Sequence, residues 1–434
     1  MVALTIFGIF ILLMLLRVPV VVAMAVGTLA GMVQLGFATS LSKLYVFPLQ
    51  MLEGINSPAL LAVPFFILAG HFMTAIGLTE RIFALANAFV GHMRAGLAQV
   101  NVVCSLFFGG ITGSAVADVA GIGNLVIAQM KKRGYPASFA SALTVASSVI
   151  GPTMWPSVPL LIYAFSASVS VERMFLAGIG PGMLIILSLM VYNRFVAVRY
   201  NVPQTPRPPA REIGGMVMRS GWALLAPLII IGSIITGLAT PMEAGVIACL
   251  YTLVLGVAYR SLSFARIRHA VGDTVILFGS VLMIIGVSTA MSWVLTYDRV
   301  PQTLAAAVLD LTDNKYLFML IAVVFFLVIG TVLENIPAQV VLTPIMLPLV
   351  DHFGIDRVHF GMVLVYGLLI GIVSPPVGVA LFIVTKIARI SFEEVCKSVM
   401  PFMIPLIGVL FAIAFFPQVV LWLPDLILGS EAGP

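Results

Sequence analysis

Charge is what this chain lacks. Of its 434 residues, 22 are Lys or Arg and 17 are Asp or Glu, so 9% are charged while 61% are hydrophobic. A soluble domain carries about 25% charged residues, because its surface must hold water. The shortage excludes a water-covered body of this size and makes lipid the solvent for most of the surface. Cysteine is scarce as well. Cys104, Cys249 and Cys396 stand far apart in apolar surroundings with no CxxC pair, which excludes a disulfide framework or a metal clip and leaves packing as their role. Catalytic motifs are missing too: there is no HExxH, P-loop, GxSxG or GxGxxG after a strand. An enzyme is not expected, no organic cofactor is expected, and ATP is not the direct energy source in this chain. The net charge of +5 is spread over short loops, so no nucleic acid is implied.

What is present is apolar sequence in long runs, such as residues 2–16, 224–235 and 317–329. A helix needs about 20 such residues to cross the hydrocarbon core. Barrel strands would alternate apolar and polar residues over about 10 positions, and no such alternation appears. The first run lacks a basic start and a small-residue cleavage site, so it reads as a retained helix and not a signal peptide. The expected class is an all-α polytopic membrane protein.

The chain also repeats itself. Pro19 is matched by Pro241, Glu80-Arg81 by Asp298-Arg299, and Phe107-Phe108 by Phe325-Phe326. Ser114 and Pro152 are paired with Pro337 and Pro375, Ser170-Val171-Glu172 with Ser391-Phe392-Glu393, and Pro181 with Pro401. Every offset lies between 218 and 223, and ordered matches at so nearly constant an offset indicate an internal duplication. Residues 1–191 form the first repeat, 192–221 a polar, proline-rich linker, and 222–434 the second.

Charge then orients the halves, since Lys and Arg concentrate in cytoplasmic loops. With the linker cytoplasmic and five crossings per half, Arg17, Arg81, Arg94, Lys131-Lys132-Arg133, Arg260, Arg266, Arg268, Lys386, Arg389 and Lys397 share its side. Lys43, Arg173, Arg299, Lys315 and Arg357 face the other. Equivalent loops fall on opposite sides, so the repeats are inverted and both termini are expected to be periplasmic. Inverted repeats are a common architecture of secondary transporters.

Each half is interrupted twice. In the first, a Gly-, Thr- and Ser-containing break at 109–118 splits the apolar stretch 97–130 into a re-entrant hairpin, and Gly151-Pro152 breaks a helix over 136–165. In the second, Leu333-Glu334-Asn335-Ile336-Pro337 splits 316–350, and Ser374-Pro375-Pro376-Val377-Gly378 breaks 359–385. Interrupted helices free backbone groups near the midplane, and hydroxyl and carbonyl oxygens suit a small hard cation such as sodium. Hairpin-tip amides would face an anion between the two breaks. Glycine and proline also occur in such helices for packing or kinks. Asp118 and Glu334 are the acids at membrane depth, where charge is costly and functional; each is read either so or as an anchor of its hairpin. Glu53 and Glu243 sit nearer an interface, His71 and His92 read as packing residues, and Trp155 either lines the site or packs.

Taken together, Val63-Pro64-Phe65-Phe66-Ile67-Leu68-Ala69-Gly70, the 110–118 segment, Thr240-Pro241-Met242-Glu243-Ala244 and Ser374-Pro375-Pro376-Val377-Gly378 resemble the large membrane subunit of TRAP (tripartite ATP-independent periplasmic) transporters. The resemblance covers nearly the whole chain. It implies a sodium-coupled elevator in the bacterial inner membrane, paired with a small four-helix membrane subunit and fed by a periplasmic substrate-binding protein. By the same resemblance Thr112, Gly113, Ser114, Ser148, Gly151 and Thr153 would hold one sodium ion, and Asn335, Ile336, Pro337, Ser374 and Gly378 a second. Ser114, Ala115, Asp118, Pro152, Asn335, Pro375 and Pro376 would meet the substrate. Segments 78–91 and 300–311 would be scaffold arms. Where the family pattern expects Thr-Pro-Pro this chain reads Ser374-Pro375-Pro376, which keeps the hydroxyl. No small-subunit sequence precedes Met1, so that partner is expected as a separate chain. The expected cargo is a small organic anion, a carboxylate (dicarboxylates included) or a sulfonate; an anion channel or uncoupled permease is the alternative.

Overall fold

Apolar helices build the chain, and no strand occurs among the described residues. The computed structural model describes all positions except 17, 40, 155, 201–208, 376–377 and 430–434. Among the described residues five helices are long and apolar enough to cross a bilayer: Val171–Val196, Pro241–Ala258, Phe264–Tyr297, Lys315–Val332 and Phe392–Phe415. Two bent pairs raise the count to seven. The expected five crossings per half are therefore not reached by length alone. Val2–Leu15 and Val20–Gln34 have 14 and 15 residues, roughly 22 Å at 1.5 Å per residue, against a core of about 30 Å.

The 109–118 break becomes a tight turn between helices Gly96–Thr112 and Ala115–Lys132. Gly113 caps the first arm with φ +61°, a left-handed conformation that costs other residues about 1–2 kcal/mol. Ser114 is extended and caps the second arm, its Oγ accepting from Ala117 N at 3.3 Å, which satisfies one of the free amides at a helix start. The second hairpin joins Lys315–Val332 to Asn335–His352 through Leu333 and Glu334. Pro337 falls in the first turn of its arm, where a missing N–H costs nothing. The second arms begin at Ala115 and Asn335, so Ser114 corresponds to Glu334. The pairing of Ser114 with Pro337 read from the sequence is displaced by three residues.

Each hairpin packs on a broken helix. In the first half this is Ala137–Ser147, Ile150–Thr153 and then Val158–Ser166. In the second it is Arg357–Val373 followed by Val379–Ala388. Glycines set the contact in both. A Cβ on Gly109 would lie 2.9 Å from the Gly151 nitrogen, and one on Gly330 would lie 3.1 Å from the Gly371 Cα, so backbone meets backbone. Polar bonds tie the halves together: Tyr163 Oη donates to the Arg357 carbonyl at 2.6 Å, and Lys131 Nζ to the Ala388 carbonyl at 3.2 Å.

Around this body stand Val2–Leu15, Val20–Gln34, Val46–Ile55 and the 34-residue helix Phe264–Tyr297. Ala62–Ala75 packs on Pro241–Ala258 and turns by 77° into Leu78–Val90. Helices Ile179–Tyr200 and Ala210–Ile235 run into the 192–221 span read as linker; its proline-rich stretch 201–208 lies outside the described residues.

Candidate functional site

Both hairpin tips reach one cavity of about 170 Å³. Gly113, Ser114 and Ala115 line it from the first half, Glu334, Asn335 and Ile336 from the second. Pro152 enters from the first broken helix, Leu369 and Ile372 from the turn before the second break. The far wall is the long helix Phe264–Tyr297, through Leu277, Ser280 and Ile284. Two helices, Ala115–Lys132 and Asn335–His352, start at the cavity, and helix starts present free amides and the positive end of the helix dipole. Among the lining residues there is one carboxylate, Glu334, and no Lys, Arg or His.

The expected site residues divide. Gly113, Ser114, Ala115, Pro152, Asn335 and Ile336 line the cavity. Asn335 donates through Nδ2 to the Val365 carbonyl at 3.1 Å, and its Oδ1 has no partner. Ser148 and Thr153 do not line it: their hydroxyls are fully buried and donate to the Val145 and Val149 carbonyls at 2.8 and 2.7 Å. Both bonds occupy a proton and leave oxygen lone pairs free. Gly151 is spent on the contact with Gly109. Ser374 Oγ donates to the Gly371 carbonyl at 3.2 Å, and Gly378 has φ +21°; neither these nor Pro375 line the cavity.

Two placements correct the sequence reading. Pro337 lines a separate, wholly apolar cavity of about 420 Å³ beside Phe7, Phe10 and Val328, because the first turn of its arm rotates it away from the tip. Asp118, expected at the substrate, is fully buried behind the tip beside Ser105, with neither carboxyl oxygen meeting hydrogen-bond geometry. Trp155, Pro376 and the side chain of Thr112 lie outside the described residues.

Sequence reasoning passed over Gln339. It is fully buried and donates through Nε2 to the Pro159 carbonyl at 2.6 Å, joining the second hairpin to the first broken helix. A polar side chain in an apolar arm, 221 residues after Asp118, was the available signal. A buried network is equally new: Asn101 Nδ2 donates to Thr144 Oγ1 at 2.8 Å and Ser105 shares a 2.9 Å bond with Ser147. Glu243 closes a capping box with Thr240, and His71 Nδ1 is 2.9 Å from Thr274 Oγ1. Both are structural tasks.

Known proteins agree with this architecture. A family profile described as "Tripartite ATP-independent periplasmic transporter, DctM component" matches residues 7–419. The chain is 41% identical over 382 residues to the sialic acid TRAP transporter large permease protein SiaM of Vibrio cholerae, covering 88% of this chain and 89% of that one. It is 33% identical to the 2,3-diketo-L-gulonate TRAP transporter large permease protein YiaN of Escherichia coli, over 86% and 88% of the two chains. The isethionate TRAP transporter permease protein DctMQ of Oleidesulfovibrio alaskensis is 36% identical over 95% of this chain and 65% of its own length. In fold alone, the YdaH transporter of Alcanivorax borkumensis is similar with a TM-score of 0.63 at 15% identity, over 92% of this chain and 91% of that one. Profile and relatives together place this chain in the DctM family, as a large membrane permease component of a tripartite ATP-independent periplasmic transporter and not an enzyme.

Proposed function

We propose that the chain carries out sodium-coupled uptake of a small organic anion across the bacterial inner membrane, by an elevator movement of the hairpins and broken helices past Phe264–Tyr297. The observation that carries this reading is the charge of the cavity. It offers helix starts and hydroxyls to an anion, yet its lone charged side chain is Glu334. Two like charges 4 Å apart at an effective dielectric of 20 repel by about 4 kcal/mol, so an anion enters favourably only with cations. Sodium ions at the two tip-and-break junctions supply that charge. The first would be held by Thr112, Gly113, Ser114, Ser148, Gly151 and Thr153, where buried hydroxyls keep lone pairs free. The second would be held around Asn335 and Ser374. The face that carries Arg357 is then periplasmic, as are both termini. The working complex includes a small membrane subunit and a periplasmic binding protein that delivers the anion.

Substrates named for the relatives, sialic acid and isethionate, make a carboxylate or sulfonate the first choice. The test is uptake of radiolabelled sialic acid and isethionate into proteoliposomes holding this chain, its small subunit and the binding protein. Uptake should require an inward sodium gradient and vanish in Ser114→Leu with Asn335→Leu. Uptake that persists with choline in place of sodium overturns the coupling, and sodium-independent unitary currents would make the chain an anion channel.

A further inference from the structure

A second polar chamber, of about 370 Å³, lies on the same three helices as the cavity, nearer the Arg357 face. On Val158–Ser166 the cavity takes Pro159 and the chamber takes Phe165 and Ser166; on Asn335–His352 the cavity takes Ile336 and the chamber Pro344. On Phe264–Tyr297 the sequence is Ser280 and Ile284, then Thr289, Ser292 and Thr296. On Val158–Ser166 and Asn335–His352 moving toward the chamber is moving toward Arg357, which reaches the Ala167 carbonyl just past Ser166 and pairs with Asp351 near the end of the other. Between the two spaces Ile162, Ile285 and Val340, all buried, form an apolar waist. The Gln339–Pro159 bond stands at the same level.

The chamber is not a simple packing gap. The apolar cavity beside Phe7 and Val328 shows what such a gap looks like between these helices: none of its lining residues is polar. The chamber instead gathers Gln50, Ser166, Thr289, Ser292 and Thr296 and holds no charged side chain. Ser292 Oγ is buried with no hydrogen-bond partner. An unpaired hydroxyl in such surroundings costs about 1–3 kcal/mol, and a ligand oxygen that accepts its proton relieves that cost. The chamber is also about twice the volume of the cavity, room for a small anion that still carries water.

From this placement we infer that the chamber is a second binding position for a small carboxylate or sulfonate, occupied before the anion passes the Ile162–Ile285–Val340 waist into the cavity. Ser166 and Thr289 spend their protons on the Ile162 and Ile285 carbonyls, both at 2.9 Å. The Ser292 and Thr296 hydroxyls and the Gln50 amide are therefore the donors that hold the anion there, and with no cation in the lining they hold it weakly enough to leave.

The inference rests on the transport reading, but its test needs no transported substrate. In a background with Cys104→Ala, Cys249→Ala and Cys396→Ser, single cysteines at Ser292, Thr296 and, as control, Val328 in the apolar cavity are placed in the full chain in liposomes. Each is reacted with the anionic reagent 2-sulfonatoethyl methanethiosulfonate and with its trimethylammonioethyl cationic counterpart, both rates normalised to a free thiol. Ser292→Cys and Thr296→Cys should react with the anionic reagent at least tenfold faster than Val328→Cys, and faster than with the cationic one. Both are near-isosteric changes, and monodisperse elution checks their folding. Rates at 292 and 296 no higher than at 328, or an anionic rate not above the cationic one, overturn the inference and leave the transport reading to be judged by sodium-dependent uptake.

Discussion

Gln339 donates its side-chain amide to the carbonyl of Pro159 at 2.6 Å, a bond that crosses from one half of the duplicated chain to the other. Pro159 lies in the first turn of a helix restarted by Ser157, whose Oγ accepts from Leu160 N at 3.3 Å; a carbonyl there also serves its own helix, so the Gln339 amide takes its second lone pair. Gln339→Leu should therefore remove this cross-half bond and cost about 0.5–1.5 kcal/mol. The check is thermal unfolding in detergent, where Gln339→Leu should melt below the parent and Gln339→Glu, which accepts but does not donate when ionised, should melt lower still. Equal melting of all three would show that the bond is not needed to hold the halves.

Gly109 with Gly151, and Gly330 with Gly371, predict a matched pair of losses. A Cβ on Gly109 or Gly371 overlaps backbone atoms of its partner glycine, and backbone cannot rotate aside. Overpacking typically costs about 1–3 kcal/mol, and here it would also push a hairpin off its broken helix. Gly109→Ala and Gly371→Ala should each lower the yield of monodisperse protein and the melting temperature. Gly408→Ala, in the helix Phe392–Phe415 with open space around it, should be neutral or gain about 0.5–1 kcal/mol from helix propensity.

These glycines also show how far the sequence could be read. Apolar runs, the duplication and the four breaks were visible because they depend on composition and on the order of Gly and Pro along the chain. Which way a side chain faces depends on the rotation of its helix, which packing decides. Hence Pro337 could be placed at a tip but not turned toward the apolar cavity, and Ser148 and Thr153 could be named but not seen to bond their own helix. Gln339 and the wall formed by Ser280 were missed because their contacts are long-range.

Asp118 gives a prediction in which stability and function part. Its carboxyl is buried without a hydrogen bond of its own, a costly arrangement for a polar group. Asp118→Asn keeps the shape and removes the ionisable group. If the carboxyl serves transport, the variant melts at or above the parent while sodium-dependent uptake falls at least tenfold, the trade expected of a functional buried acid. If Asp118 anchors its hairpin, melting temperature and uptake fall together. Measuring both on one preparation separates the two.

Glu334 tests the charge argument directly. It is the carboxylate at the cavity, at the head of an arm whose start it leaves without a side-chain cap, so Glu334→Gln removes charge without removing a helix cap. An anion would then meet no fixed negative charge and need less cation beside it. Half-saturating anion concentration should fall, by about tenfold for each 1.4 kcal/mol of repulsion relieved, and uptake should depend less steeply on sodium concentration. Glu334→Asp keeps the charge and should keep the parent's sodium dependence. If Glu334→Gln instead weakens anion affinity while leaving the sodium dependence steep, the carboxylate shapes the anion site independently of sodium and is not a charge that sodium offsets. The sodium titration at fixed anion concentration distinguishes these outcomes, because only a charge-neutralising role links the two ligands through that one side chain.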